Sequence, residues 1–501
     1  MRILFLAVTA LFCLLTPVQA EEWAKTYGGD GNETAYAMQR TDDGYIVAGW
    51  TDSLGDRDIW IVKLDGDGDV VWEKSYGSLL DDYAYSIQKV SGGYVIAGKA
   101  GKKSYSGSWL QSDIFYGLVV KIDDYGNILW AKKYDKNVDN GVIQENAFYS
   151  IQQTSDGGYI VAGYTTIPTD PLREIEHNIW ILKLDPNGDV MWEKVLDMYN
   201  RDKAYFVMQT GDGGYVVAGV AANYNVISFP NPYRSDLWII KLNSSGFVEW
   251  EGIYDWKVVD EASSFQQADD GYVVAGTSST GGMFSSDVYK PWIVKIDNSG
   301  HIQWQKTYNE STFEKISSIL KVNDGYVVAG SAAGDVWVFK IDGSGLIQWQ
   351  KRYGGDESDW AADVKKADDG YVVASNTRSF SNNSDFWILK LNAAGSISGL
   401  CFYEMVANAQ VGEAGFDEYV FTPTPFLQPA GINVNSLTLQ TSGISLISNV
   451  ICPLQAVGTP TPIQTPTLTP TPDQTSIPEF SGVWIGVAVV ITALVVGRMM
   501  R

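Results

Sequence analysis

Two sets of charged residues recur so regularly along this 501-residue chain that any chemistry built on them would be multivalent. Seven acids stand just before matching apolar segments, at Glu33, Asp82, Glu145, Asp202, Glu261, Glu314 and Asp359. Carboxylates converging around an axis could hold a hard cation such as calcium. Seven lysines, Lys63, Lys121, Lys183, Lys241, Lys295, Lys340 and Lys390, fall at one position of another segment. A feature that every copy repeats serves the copy first. The acids would then satisfy local backbone donors, and the lysines would lay their stems along apolar neighbours and reach a carboxylate or carbonyl. DGDGD, Asp65 to Asp69, alternates acids as a calcium loop does, but DPNGD and DNSGH at the equivalent places make it a hairpin turn. No Gly-x-Ser-x-Gly, His-Glu-x-x-His, Walker or Rossmann pattern is present, and His177 and His301 are the only histidines. The chain is therefore expected not to be an enzyme and to carry no cofactor, calcium being the one metal its acids would suit.

Broken symmetry is more informative than repetition. Four loops, Lys99 to Gly117, Tyr164 to Asn178, Val220 to Asp236 and Thr277 to Pro291, are long where their counterparts are short, and they are rich in aromatics. The expected ligand site is Trp109, Tyr116, Tyr224 and Tyr233, with Glu145 and Asp202 nearest. Rings beside hydrogen-bonding carboxylates suit a sugar or a cation-bridged glycan.

What must position these residues is a repeat. DGGYIVAG (Asp156 to Gly163) returns as DDGYIVAG, SGGYVIAG, DGGYVVAG, DDGYVVAG, NDGYVVAG and DDGYVVAS, with tyrosines 45 to 65 residues apart. That period is near the one expected of propeller blades. Each copy supplies four strands, taken in the third as Ala147 to Thr154, Gly158 to Tyr164, Trp180 to Asp185 and Asp189 to Val195. Asp-Gly turns give the positive φ of tight hairpins, so each unit is an antiparallel meander. The seventh copy carries Gly399 where its last strand should place Trp, whereas WAKTYGG (Trp23 to Gly29) matches a last strand standing alone. The expectation is an all-β, seven-bladed propeller of four-stranded blades, closed by Trp23 to Tyr27 pairing with Trp387 to Leu391.

The rest of the chain divides clearly. Residues 1–20 read as a signal peptide: Arg2, an apolar run from Ile3 to Leu15, then Val18-Gln19-Ala20. Residues 21–403 form the propeller, 404–457 a polar β-prone extension, 458–478 a Thr/Pro stalk, and 479–501 a tail with an apolar transmembrane run before Arg498 and Arg501. Cys401 and Cys452 bracket the extension and could form a disulfide in an exported protein. Asn32, Asn243, Asn309 and Asn382 begin Asn-x-Ser/Thr sequons. A net charge of −23 speaks against nucleic acid as a partner.

The tail, with Pro478-Glu479-Phe480, the apolar run and the basic end in order, resembles the PEF-type (PEF-CTERM) sorting signals of archaeal surface proteins. That resemblance implies an archaeal envelope protein and a sortase-type processing enzyme as partner. The repeats resemble the DGGYIVAG repeats of secreted archaeal and bacterial propellers, a likeness that tells of fold rather than activity. A looser likeness to quinoprotein propellers rests on Gly-x-x-x-Trp at Gly68 and Trp72, Gly126 and Trp130, Gly188 and Trp192, Gly246 and Trp250, Gly300 and Trp304, and Gly345 and Trp349. Those tryptophans read as interblade packing. The functional expectation is an exported, membrane-anchored surface module that binds an envelope or extracellular glycan or a surface protein. The alternative is a secreted carbohydrate-active enzyme with its site on the long-loop face.

Overall fold

The computed structural model describes residues 22–397 except 79, 103–113, 137–144, 167–175, 199–200, 224–233, 256–258, 280–288 and 310–313, together with six strands between 404 and 452. It is a seven-bladed propeller of four-stranded antiparallel blades. The first blade pairs strands a to d in order as Glu33–Thr41, Gly44–Thr51, Asp58–Asp65 and Val70–Gly77. The innermost a strands of the later blades are Asp82–Val90, Asn146–Gln153, Lys203–Gln209, Val259–Gln267, Glu314–Val322 and Asp359–Lys366. The seventh blade takes its strand d from the N-terminus, with Trp23 facing Lys390 and Tyr27 facing Phe386 in register. Closure by Trp23 to Tyr27 is thus as the sequence predicts.

Burial explains the cohesion of the ring. The b and c strands are apolar on both faces, and seven apolar clusters form, each drawing on two adjacent blades. Between blades 1 and 2, for instance, Ile46, Ile59 and Tyr76 pack with Ile87, Tyr94 and Leu118. Each strand d also docks on the next blade's c-to-d turn. Tyr27, Tyr76, Tyr134 and Tyr308 donate hydroxyl hydrogen bonds to the carbonyls of Gly68, Gly126, Gly188 and Gly345 at 2.6 to 2.9 Å. The tryptophan four residues earlier lies on the same glycine: at Gly68, with φ of +79°, an added Cβ would stand 2.6 Å from the Trp23 ring. The Gly-x-x-x-Trp pattern is therefore an interblade clasp. Leu196 replaces the tyrosine in blade 3 and has no hydroxyl to donate.

The lysines are scaffold too. Lys63, Lys183, Lys241, Lys295 and Lys340 pair with Asp43, Asp156, Asp212, Asp270 and Asp324 at 2.6 to 2.9 Å. In DGDGD, the Asp65 carboxylate accepts the amides of Asp67 and Asp69, while Asp69 pairs with Lys25. That is the chemistry of a capped hairpin turn.

The extension adds what its sequence does not suggest. Six short strands, starting at 404, 410, 417, 433, 440 and 447, are laid on the outer d strands of blades 6, 5, 4, 2, 1 and 7 in turn. The chain thus runs round the ring against blade order, adding a fifth antiparallel strand to six blades. The interval is six or seven residues except across blade 3. There the intervening sequence holds Pro423, Pro425 and Pro429, which cannot donate to a ladder. Among the described residues, blade 3 has no fifth strand. Cys452 ends the last belt strand in register with Ala24, and Cys401 lies outside the described residues.

Candidate functional site

Every strand a carries a register shift against strand b that inserts one extra residue: Tyr36, Tyr85, Tyr149, Tyr205, Ser263, Ser317 and Ala362. A bulge re-aims its extra side chain. Here all seven positions line a cavity of about 720 Å³ to which every strand a contributes. The fold is nearly sevenfold, but this ring is not. Blades 1 to 4 supply an arc of four tyrosines, with ring centroids 5.1, 4.9 and 5.1 Å apart in succession. Blades 5 to 7 supply two serines and an alanine opposite them.

The lining continues with Gln39, Gln88, Gln152 and Gln266, and with Asp363 and Lys365 in blade 7. Asp363 accepts the Met38 amide at 3.0 Å and the Ser318 hydroxyl at 2.8 Å, and pairs with Lys365 at 2.6 Å. Towards the b-to-c side, Tyr83 stacks on Tyr85 at 5.9 Å and Tyr164 on Tyr149 at 5.8 Å. The Tyr164 hydroxyl donates to Glu145 at 3.3 Å, and the His177 ring lies 4.6 Å from that of Tyr164. Burial, helped by Lys203 and Arg201, pushes His177 down to about 3, so its imidazole is neutral. The wall is therefore aromatic and amide-rich, a surface that fits sugar rings and hydroxyls.

The expected ring of acids is corrected in place in two blades, while its reading as a set of local backbone acceptors stands. Ladder register puts Asn146 and Asp260, not Glu145 and Glu261, beside Glu33, Asp82, Asp202, Glu314 and Asp359, because Phe148 faces Gly163 and Ala262 faces Gly276. All seven are at most 1% exposed. Their carboxylates hold the d-to-a connections: Glu33 accepts Gly29 N, Asp82 Ser78 N, Asp202 Met198 N and Asp359 Gly355 N. These buried groups tie blade to blade, whereas Glu145 reaches Tyr164 and Glu261 stands exposed in the layer above the bulges. Between blades 4 and 5, Asp236, Asp255 and Asp260 bring carboxylate oxygens within 4.8 Å of one another, and such a group repels unless a proton or hard cation lies among its members.

A similar pair gives a pH signature. Burial, with a smaller push from Asp58, raises Asp82 to about 7, and burial raises Asp58 to about 6. An acid whose folded pKa lies above its unfolded value favours the fold when protonated, so its contribution is lost as pH rises from about 4 to 7. Asp82→Asn removes that loss. The stability of this variant is expected to fall less than that of wild type between pH 4 and 8, by an amount on the order of a few kcal/mol, read as a smaller drop in melting temperature. Parallel melting profiles would show that Asp82 does not take up the proton.

Three of the six expected binding residues are among the described residues. Tyr116 is buried in strand c of blade 2 with the Lys133 ammonium 4.4 Å from its ring, and Asp202 is fully buried in its loop contacts. Glu145 alone reaches the aromatic wall, through Tyr164. Trp109, Tyr224 and Tyr233 lie outside the described residues. Of the sequon asparagines, Asn309 and Asn382 are exposed, and Asn32 and Asn243 are half-buried in loop or turn contacts.

No protein-family model matches the chain, and no curated protein matches it. Among solved structures it is similar to a GH43_12 retrieved from capybara gut metagenome, at 11% identity and a TM-score of 0.23, over 78% of this chain and 99% of that one. So low a score carries no argument about activity. The blades themselves show the fold, a closed seven-bladed β-propeller whose near-symmetry fails at the tyrosine arc.

Proposed function

We propose that this propeller is a cell-surface binding module that takes a glycan against the tyrosine arc of its central cavity. The observation that carries this reading is the asymmetry of Tyr36, Tyr85, Tyr149 and Tyr205 facing Ser263, Ser317 and Ala362 across about 720 Å³. A purely structural channel has no need to place all four bulge tyrosines on one side. The signal-like residues 1–20, the stalk 458–478 and the PEF-type tail 479–501 lie outside the described residues. Their sequence supports export, membrane anchoring with the propeller outside, and sortase-type processing. No helix among the described residues is long and apolar enough to cross a membrane.

The alternative, a carbohydrate-active hydrolase or lyase, asks for two carboxylates roughly 5 to 10 Å apart facing one sugar. Asp363 is the carboxylate among the described lining residues, and its oxygens are already engaged by Met38, Ser318 and Lys365. The geometry supports binding better than cleavage. The test is a screen of full-length protein against envelope and extracellular polysaccharides, scoring retained ligand and released fragments together. Replacing the four tyrosines by Ala is expected to cost roughly tenfold in affinity per stacking ring lost. Unchanged affinity in a variant with wild-type circular dichroism would remove the site from this cavity, and released fragments would favour the enzyme.

A further inference from the structure

The rim of the cavity carries a second asymmetry, of charge. One layer above the bulges, on the b-to-c side, the ladder sets Thr34 opposite Trp50, Tyr83 opposite Lys99, Ala147 opposite Tyr164, Lys203 opposite Val220, Glu261 opposite Thr277, Lys315 opposite Ser331 and Trp360 opposite Asn376, so that Glu261 is the one acid in the layer. Cations in and beside this layer sit on aromatic rings. The Lys99 ammonium lies 3.9 Å from the Phe115 ring and 4.6 Å from Tyr83, and the Lys203 ammonium lies 4.5 Å from Tyr164. Lys315 lies 5.3 Å from Tyr289, Arg378 5.9 Å from Trp360 and Arg57 4.6 Å from Trp50.

Many other cations of the fold are held by acids. Five of the seven strand c lysines hold an aspartate and Lys390 reaches the Gly66 carbonyl, and Arg40, Lys89 and Lys321 on the far ends of the a strands hold Asp368, Asp124 and Asp269. Arg57 engages Asp81 and the Tyr83 hydroxyl. Among the described residues, Lys99, Lys203, Lys315 and the Arg378 guanidinium make neither an ion pair nor a side-chain hydrogen bond. Glu145 acts electrostatically on Lys99 and Lys203, and Glu261 on Lys203, yet none of these pairs closes into a salt bridge.

We infer that the channel rim takes an anionic glycan, a chain whose sugar rings stack on the tyrosine arc while its carboxylates or sulfates pair with Lys99, Lys203, Lys315 and Arg378. This rests on the reading of the cavity as a glycan site and gives it a ligand class. The aromatic face under each cation leaves the outward N–H donors for an anion, and a cation held on a ring loses little further freedom when it binds. The overall charge of −23 opposes a polyanion at long range. At about 0.1 M salt, however, the Debye length of roughly 10 Å screens the distant acids and leaves contact pairs intact.

The experiment compares binding of full-length protein to polygalacturonate and its methyl ester, and to dextran sulfate and dextran, at 0.1 M salt. The acidic member of at least one pair is expected to bind ten times tighter or more than its neutral counterpart, and which pair shows this distinguishes carboxylate from sulfate. Lys99→Gln, Lys203→Gln and Lys315→Gln should each reduce acidic binding roughly three- to fivefold and leave neutral binding unchanged. Equal affinity for acidic and neutral members, with both lost in the four-tyrosine variant, overturns the charge inference while keeping the cavity as a glycan site. A preference for the acid that survives the triple lysine replacement also overturns it. Binding of none of the four polymers overturns the inference for both anion classes, and the wider polysaccharide screen then decides the cavity reading on its own.

Discussion

Trp23→Ala is expected to lower the melting temperature by about 5 °C or more, and removal of residues 22–28 to lower it further. The indole is 5% exposed, lies on Gly68 of the first blade and forms part of the cluster that joins blades 7 and 1. Truncating a buried aromatic of this size costs about 3 to 5 kcal/mol, and removing the strand adds the Tyr27 hydrogen bond and the ladder to Trp387 and Leu389. The effect should exceed that of Trp72→Ala or Trp250→Ala, because those tryptophans join blades that are also consecutive in sequence. Trp23 closes a ring whose ends are otherwise more than three hundred residues apart, so its loss also frees the long-range entropy of closure. Calorimetry of the two classes of variant decides the point: equal losses would mean that closure has no special weight, and no loss from deleting 22–28 would mean that the strand does not close the ring.

The blades were legible because their signals are local. In the third copy, strands expected at Ala147 to Thr154 and Asp189 to Val195 stand at Asn146–Gln153 and Val190–Leu196, since Asp-Gly turns and apolar runs fix their ends within a residue or two. The acids were misplaced in blades 3 and 5 because adjacent pairs, Glu145-Asn146 and Asp260-Glu261, leave a choice that only the pairing of Phe148 with Gly163 and Ala262 with Gly276 resolves. The tyrosine arc had a visible signal. AYA, AYS, FYS and AYF in strands a of blades 1 to 4 give way to ASS, ISS and AAD in blades 5 to 7. A bulge, however, reverses the alternation by which an extended strand is normally read, so in the sequence these tyrosines count as facing the wrong way. The long loops carry the more visible aromatics, and much of them lies outside the described residues.

The belt had no local signal, and its removal should produce the second large effect. A protein ending at Ile397 is expected to self-associate, whereas one ending at Leu454 is not. Every strand d is the outer edge of its blade, and in six blades the belt hydrogen-bonds to that edge: Lys351 to Tyr353 face Val406 to Glu404, Glu251 to Asp255 face Phe421 to Asp417, and Ala24 to Gly28 face Cys452 to Ile447. These ladders could contribute on the order of 5 kcal/mol or more, but ordering some fifty residues of polar chain offsets much of that, so the melting temperature should fall only modestly. Association is the larger consequence, because bared edges offer unpaired N–H and C=O groups to the edges of other molecules. The belt also changes the boundary of the independent unit: a propeller cut at Tyr403 keeps its blades and loses their cover. Size-exclusion chromatography with light scattering, run on both proteins over a range of concentrations, reads the difference directly. If the shorter protein elutes with the same concentration-independent mass per chain as the longer one, the edges need no cover. The belt would then have to be explained by what it presents outward instead.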